Sequence, residues 1–202
     1  MSALAPLPYA NALAKKIALT CGDITKLHVD AIVNAANSSL LGGGGVDGAI
    51  HRAANDKRFL EECRQHNVCR TLMQGCATGE AKRTNAYNLP CKAVIHTVGP
   101  VYAQHAPAES KSLLQAAYRN SLQVAADAGL RSVVRAPLTQ AFPAISTGVY
   151  GYPKAAATDA ALEQVKAFLE GPSGARLDLV VFCCFSPADL RGYEEAAPKY
   201  FS

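Results

Sequence analysis

Short apolar segments alternate with longer amphipathic segments along most of this 202-residue chain. The apolar segments are rich in β-branched residues, which is typical of strands buried on both faces. They cover residues 16–21, 31–35, 92–98, 141–146 and 177–185. Such strands, separated by helical stretches, indicate a sheet that helices cover on both sides. The chain is therefore predicted to be an α/β protein, a three-layer α/β/α sandwich.

The amphipathic segments predict four helices. One begins at Val46 and continues past Phe59 towards residue 66, and the others cover residues 110–128, 152–169 and 187–200. Gly129 follows the second of these helices, and Pro153 falls in the first turn of the third, where proline is favoured. In an alternating sheet of this kind, ligands bind beyond the carboxyl ends of the strands. The loops that follow the strands are therefore the places to examine.

Composition excludes several classes of protein. Half of the residues are hydrophobic and 18% are charged, so residues 1–202 are expected to form one folded domain. No apolar run approaches the roughly 18 residues that cross a bilayer, and the N-terminus lacks a secretory pattern, so no membrane association is expected. A net charge of +4 and the absence of Trp argue against a dedicated nucleic-acid binder.

The seven cysteines do not form a zinc motif. Their spacings, such as Cys63–Cys69–Cys76 and the adjacent pair Cys183 and Cys184, fit none of the usual ligand patterns. Reduced and mostly buried thiols are the expectation, as in a cytoplasmic or nuclear protein. No metal and no cofactor are predicted.

Four consecutive glycines stand between the second strand and the first helix: Gly42, Gly43, Gly44 and Gly45. Such a run costs much backbone entropy, so a flexible turn explains it poorly. Its physical use is a close approach of backbone to ligand, with N–H groups directed at an anion near a helix N-terminus. The segment matches neither a dinucleotide-binding fingerprint nor a P-loop.

A second glycine-bearing loop follows the fourth predicted strand and also leads into a helix. It contains Ser146, Thr147, Gly148, Val149 and Tyr150. Two such loops in one domain predict two walls of a phosphate cleft. A diphosphate would fit between them without any basic side chain.

Single polar residues near these loops allow more than one interpretation. Asp23 follows the first strand, where an Asp is most often a cap or turn residue. Asn34 and Asn37, at the end of the second strand, would either bind ribose hydroxyls or cap the loop. Asp47 lies in the first turn of a helix, with His51 four residues later on the same face. His51 is either structural or, with Asp47, positions a water molecule.

Several runs of the sequence resemble the macrodomain family. They are residues 22–25, 29–54, 79–81, 94–100, 144–153 and 181–185, and the resemblance extends over about residues 16–200. More narrowly, they resemble the MacroD-type ADP-ribosyl-hydrolase branch. The resemblance implies a single macrodomain whose central sheet is mixed, mostly parallel and six-stranded.

The resemblance also assigns roles to individual residues. Asp23, with Ile24 beside it, would accept from the adenine amino group, and Phe185 would lie against the adenine. Asn37 would bind the distal ribose. The two phosphates would be held by Gly43, Gly44, Gly45 and Val46 on one side, and by Ser146, Thr147, Gly148, Val149 and Tyr150 on the other.

The expected reaction is the removal of mono-ADP-ribose from acidic side chains of proteins, together with deacetylation of O-acetyl-ADP-ribose. Asp47 would act on the scissile centre without a metal, assisted by Asn37, while His51 and Tyr150 shape that end. A water molecule is the nucleophile, and its proton would go either to Asp47 or to the substrate's own phosphate. The expected partners are ADP-ribose, O-acetyl-ADP-ribose and mono-ADP-ribosylated proteins, with the chain acting as a monomer. The alternative is a reader module that binds ADP-ribose without turnover.

Three positions depart from the family pattern. The segment from Val134 to Gln140 is an insertion, and because Pro137 cannot donate to a ladder, a surface excursion is predicted there. Asn55 stands where Gly often follows the helix, and Asn tolerates the left-handed conformation. Tyr152 takes a place that Phe also fills, which should be tolerated.

Overall fold

The computed structural model describes residues 6–67, 75–129 and 139–202. Its six strands are β1 (Ile17–Cys21), β2 (Ala31–Ala35), β3 (Ala81–Asn85), β4 (Ala93–Thr97), β5 (Thr139–Phe142) and β6 (Leu179–Cys184). They form one sheet in the order β1-β6-β5-β2-β4-β3. Every neighbouring pair is parallel except β3 and β4. The expected mixed, mostly parallel sheet is confirmed.

Helices cover both faces of this sheet. They are α1 (Gly45–Ala54), α2 (Lys57–Asn67), α3 (Pro107–Asp127), α4 (Lys154–Glu170), α5 (Pro187–Ala196) and the short α6 (Pro198–Phe201). One apolar cluster joins the sheet to α1 and α2, and a second cluster joins the other face to α3, α4 and α5. The predicted three-layer α/β/α sandwich is therefore confirmed.

Two predicted helices are each divided in two. Asn55 has φ 37° and ends α1 in the left-handed conformation expected of it. The Asp56 carboxylate then accepts from the backbone N–H of Arg58 at 2.8 Å, so the chain begins α2 in a new direction. Near the C-terminus, Pro198 begins α6 after α5 has ended, because proline has no N–H to continue the first helix.

The end of the predicted insertion does not lie in a surface excursion. Residues 134–138 lie outside the described residues, but Thr139 and Gln140 belong to β5. Gln140 is fully buried and lies between Ala31 and Val180 in the sheet. Its side-chain amide donates to the Ser121 carbonyl at 3.3 Å, which accounts for a polar residue at this place.

The strand β3 was not among the strands predicted from the apolar pattern. It carries Lys82 and Arg83 and forms the edge of the sheet, so only Thr84 is fully buried. An edge strand with one covered face lacks the continuous apolar run on which the prediction depended.

Six cysteines fall within the described residues, and all six are free thiols. Four of them are buried, as expected. Burial raises the pKa of Cys63, Cys183 and Cys184 to about 12, so these thiols stay protonated near neutral pH. In the described part of the chain, no helix combines the length and the apolar character that crossing a bilayer requires.

Candidate active site

The predicted site residues lie in a row along one edge of the sheet. Asp23 follows β1, Phe185 follows β6, the loop from Ser146 to Tyr150 follows β5, and Asn37 follows β2. These four strands are neighbours and parallel, so their carboxyl ends meet at the same edge. At about 4.8 Å per strand, the row is roughly 15 Å long.

Asn37 holds the loop that contains the four glycines. Its side-chain oxygen accepts from the N–H of Ser39 at 3.0 Å and from the Ser39 hydroxyl at 2.6 Å. Its amide nitrogen donates to the Gly42 carbonyl at 2.9 Å. A Cβ atom on Gly43 would lie 3.1 Å from Oδ2 of Asp47 and 3.2 Å from Nδ2 of Asn37. The bare backbone at Gly43 therefore lets these two side chains approach each other.

Two arrays of backbone N–H groups are free at this edge. Within the described part of the chain, those of Gly43, Gly44, Gly45 and Val46 donate to no backbone carbonyl, as at any helix N-terminus. The same holds for residues 147–150 in the second loop. Both arrays are placed to bind an anion.

The second loop is a closed turn. The N–H of Gly151 donates to the Gly148 carbonyl at 2.9 Å, and that of Tyr152 donates to the Ser146 carbonyl at 3.0 Å. The Thr147 hydroxyl donates to the Ala144 carbonyl at 3.0 Å. Ser146 itself is buried with φ 64°, a strained conformation for a residue with a side chain. These bonds hold the free N–H groups in one arrangement.

The β1 and β6 end of the row is exposed. Phe185 is 91% exposed, and Val149 in the neighbouring loop is 99% exposed. The Asp23 carboxylate accepts from the N–H and the hydroxyl of Thr25 through Oδ1, at 2.9 and 2.7 Å, so Asp23 caps the turn that follows. Ile24, the next residue, is buried.

The β2 end of the row contains a buried carboxylate. Asp47 is 3% exposed, accepts from the Asn34 side chain at 2.7 Å and lies 3.4 Å from Nε2 of His51. Burial raises the pKa of Asp47, while the hydrogen bond from Asn34 and the proximity of His51 oppose that rise. Burial also lowers the pKa of His51, which favours the neutral ring. Asp47 and His51 therefore lie together on one helix face, as predicted.

Two polar residues of this region were not identified correctly from the sequence. Asn34 is fully buried and contacts Asp47 and His96, so neither of its predicted positions, at a ribose or as a loop cap, is right. His96, also fully buried, was not singled out. The pairing of β2 with β4 places Asn34 opposite His96. Periodicity within one strand carries no information about that register.

Three potential metal-ligand atoms lie within 4.8 Å of one another, one each from His51, Cys63 and His96. We therefore asked whether these residues fit a metal ion. Nδ1 of His96 lies 3.1 Å from the amide nitrogen of Asn34, which can only donate. Nε2 must then carry the ring proton, and it lies 3.0 Å from the Thr84 hydroxyl. Because this nitrogen is protonated and faces Thr84, His96 offers no lone pair to a metal ion in this arrangement, and the donor set does not fit one.

A cavity of about 440 Å³ lies between α4 and α5. Ala144 and Thr147 line one side of it, so it borders the second loop, but Asp47 does not line it. Tyr118 and Tyr193 are also part of its lining. The cavity therefore meets the row of residues along the sheet edge at Thr147 alone.

The chain is thus an α/β/α sandwich in which two arrays of backbone N–H groups, suited to an anion, lie beside a buried carboxylate. The family model described as the macro domain matches residues 33–161. The chain belongs to the macro domain family, and its resemblance to the MacroD-type branch is confirmed.

Known relatives support this assignment. A macro domain-containing protein of Chlorobaculum tepidum is 52% identical over 86% of this chain and 91% of its own length. The ADP-ribose glycohydrolase MACROD2 of Xenopus laevis is 46% identical over 95% of this chain, but the chain spans only 42% of that protein. A Trypanosoma brucei macrodomain, solved in complex with ADP-ribose, is 42% identical with a TM-score of 0.80, over 95% of this chain and 73% of that one.

Proposed function

We propose that the chain binds ADP-ribose, extended along the carboxyl edge of its sheet. The observation that carries this proposal is the order of groups along the edge. An exposed aromatic ring and a carboxylate stand at one end, free N–H groups follow in the middle, and a buried carboxylate stands at the other. ADP-ribose has the same order, with adenine, diphosphate and distal ribose. The Trypanosoma brucei relative in complex with ADP-ribose supports the same ligand.

In this arrangement the adenine lies against Phe185, and its amino group donates to the free Oδ2 of Asp23. The two phosphates accept from the N–H groups of residues 43–46 and 147–150. Backbone groups held by a rigid fold bind an anion without the entropy cost of ordering long basic side chains. The distal ribose then reaches Asn37 and Asp47.

We further propose that the chain is a hydrolase. Its substrates are esters at the distal ribose, either mono-ADP-ribose on acidic side chains of proteins or O-acetyl-ADP-ribose. A water molecule between Asp47 and the substrate attacks the ester, the ester C–O bond breaks, and the carboxylate of the side chain or of acetate leaves. The water proton goes either to Asp47 or, with Asp47 orienting the water, to a phosphate oxygen of the substrate. A relative named ADP-ribose glycohydrolase supports a hydrolytic role, although this chain spans less than half of it.

The second candidate function is a reader module that binds ADP-ribose without turnover. The free N–H groups and exposed Phe185 suit either function. The buried Asp47 favours hydrolysis, because a carboxylate held out of water costs stability and neutral ribose hydroxyls do not require one.

The test is an assay of the wild-type chain on a protein modified with ADP-ribose on glutamate, beside O-acetyl-ADP-ribose and a reaction without enzyme. We expect catalytic release of ADP-ribose from at least one substrate. Binding of ADP-ribose with no release above the uncatalysed rate from either ester would reject the hydrolase and establish the reader. Absence of ADP-ribose binding would reject both.

A further inference from the structure

A series of buried hydrogen bonds leads from Asp47 into the sheet. The amide nitrogen of Asn34 donates to Oδ1 of Asp47 at 2.7 Å and lies 3.1 Å from Nδ1 of His96. Nε2 of His96 lies 3.0 Å from the Thr84 hydroxyl oxygen. None of these four residues is more than 3% exposed, and they come from α1, β2, β4 and β3. These hydrogen bonds therefore connect the site to the far edge of the sheet.

The chemistry of the Asn34 amide determines where the His96 proton lies. An amide nitrogen has two hydrogens and no available lone pair, so both of its neighbours must accept. The Asp47 carboxylate accepts one hydrogen, and Nδ1 of His96 accepts the other. The neutral ring then carries its proton on Nε2, which donates it to the Thr84 hydroxyl.

The opposite orientation of the Asn34 amide has a different requirement. Its oxygen would then lie against both Asp47 and Nδ1 of His96. That arrangement is favourable only if Asp47 is protonated and His96 carries its proton on Nδ1. The tautomer of His96 and the protonation of Asp47 are therefore coupled through the orientation of Asn34.

We propose that His96 is a positioning residue for Asp47. Anchored by Thr84, it keeps the NH₂ group of Asn34 directed at the Asp47 carboxylate, which holds that carboxylate ionised and in one position. The catalytic consequence rests on the proposed hydrolase function, whereas the tautomer and its effect on Asp47 do not.

The remaining groups that face Asp47 do not replace this contact. His51, from α1, lies 3.4 Å away without a well-aligned hydrogen bond, and burial lowers its pKa. Burial, with a smaller contribution from the Asp47 charge, raises the pKa of Tyr150 in the second loop and of Cys63 in α2, so both are neutral near pH 7. Full burial lowers the pKa of His96 to about 3, so this ring is neutral as well.

The first test is independent of turnover. In ¹⁵N-histidine-labelled protein, the ring shifts of His96 should show a proton on Nε2 and a lone pair on Nδ1. Thr84→Val removes the hydroxyl that accepts from Nε2 of His96 and should raise the pKa of Asp47. That pKa is measured by ¹³C NMR of the Asp47 carboxyl group. The matched variant Thr84→Ser keeps a hydroxyl and should leave that pKa as in the wild type. A proton on Nδ1 of wild-type His96, or an Asp47 pKa that Thr84→Val does not raise, would overturn the proposal.

The second test applies to the active enzyme. In Thr84→Val, the acidic limb of the plot of kcat against pH should move to higher pH. For a rise of one unit in the pKa of Asp47, kcat on that limb should fall about tenfold. The kcat of the alkaline plateau and KM should stay within twofold of the wild type. Thr84→Ser should restore the wild-type profile. A uniform loss of kcat at every pH would indicate a merely structural role and would also overturn the proposal. If the chain does not hydrolyse ADP-ribose esters, the kinetic test cannot be made, but both NMR tests still apply.

Discussion

The two ends of the sheet edge differ in how they are built. At the β2 end, Asp47 is 3% exposed and already hydrogen-bonded to Asn34. At the β1 and β6 end, Phe185 is 91% exposed, and Oδ2 of Asp23 has no hydrogen bond to any residue that the structure describes. The buried end has its polar groups in place before a ligand arrives, which is what transition-state stabilisation requires. Under the proposed function, the ligand covers the exposed end, which is expected to contribute affinity.

Replacement of the buried carboxylate should produce the largest effect. In Asp47→Ala, we expect kcat on an ADP-ribose ester to fall about 100-fold or more, the range for loss of a general base or water-orienting group. The Kd for ADP-ribose should change by no more than about threefold, because the free N–H groups and the adenine end are untouched. Kinetics and calorimetry measure the two quantities.

Asp127→Ala is the matched control, since Asp127 is an exposed carboxylate at the end of α3. It should leave both quantities unchanged. Equal losses of kcat and affinity in Asp47→Ala would mean that the two ends do not divide catalysis from binding.

A smaller effect is expected where the backbone approaches the buried end. In Gly43→Ala, the new Cβ lies 3.1 Å from Asp47 and 3.2 Å from Asn37, so both side chains must shift by a few tenths of an ångström. We expect roughly a tenfold fall in kcat, since small misplacements of reacting groups are costly.

The control is Gly192→Ala in α5, where a Cβ meets nothing within 4 Å. Its kcat should equal that of the wild type. A Gly43→Ala enzyme with unchanged kcat would show that the close approach of Asn37 and Asp47 is not needed for turnover.

At the exposed end, Asp23→Ala should weaken ADP-ribose binding about tenfold, the value of one charge-assisted hydrogen bond. It should also lower discrimination against a hypoxanthine-bearing analogue, while kcat stays within about twofold. Competition binding with the two nucleotides measures this.

Asp23→Asn sharpens the test. Its side-chain oxygen can still cap Thr25, but its amide now donates where the carboxylate accepted, so the preference should move towards hypoxanthine. If neither variant alters affinity or base preference, Asp23 does not contact the base.

The smallest expected effect is on stability. Burial raises the pKa of Asp47, so the folded state binds this proton more tightly than the unfolded state. The ionised carboxylate therefore destabilises the fold at neutral pH, and this cost disappears as the pH falls below the ordinary Asp value. Asp47→Asn should raise Tm at pH 7, by about 2–4 °C for each kcal/mol, and the gain should shrink in acid. A lower Tm at pH 7, measured by scanning calorimetry, would contradict this sign.

Much of the fold could be predicted from the sequence, because buried parallel strands are continuous apolar runs. The bounds of β2, at Ala31 and Ala35, agree with the prediction. The four glycines predicted an anion site, since such a run has few other physical uses, and that site stays a prediction. What could not be predicted depends on tertiary pairing: β3 is an edge strand without an apolar run, and the contact of Asn34 with His96 exists only in the register of β2 and β4.

A crystal structure of the chain with ADP-ribose would show directly whether the ligand lies along the carboxyl edge of the sheet. We expect the adenine beside Phe185 and Asp23, the phosphates on the N–H groups of residues 43–46 and 147–150, and the distal ribose within about 3 Å of Asp47. A ligand bound with the opposite polarity, or in the cavity between α4 and α5, would contradict this expectation.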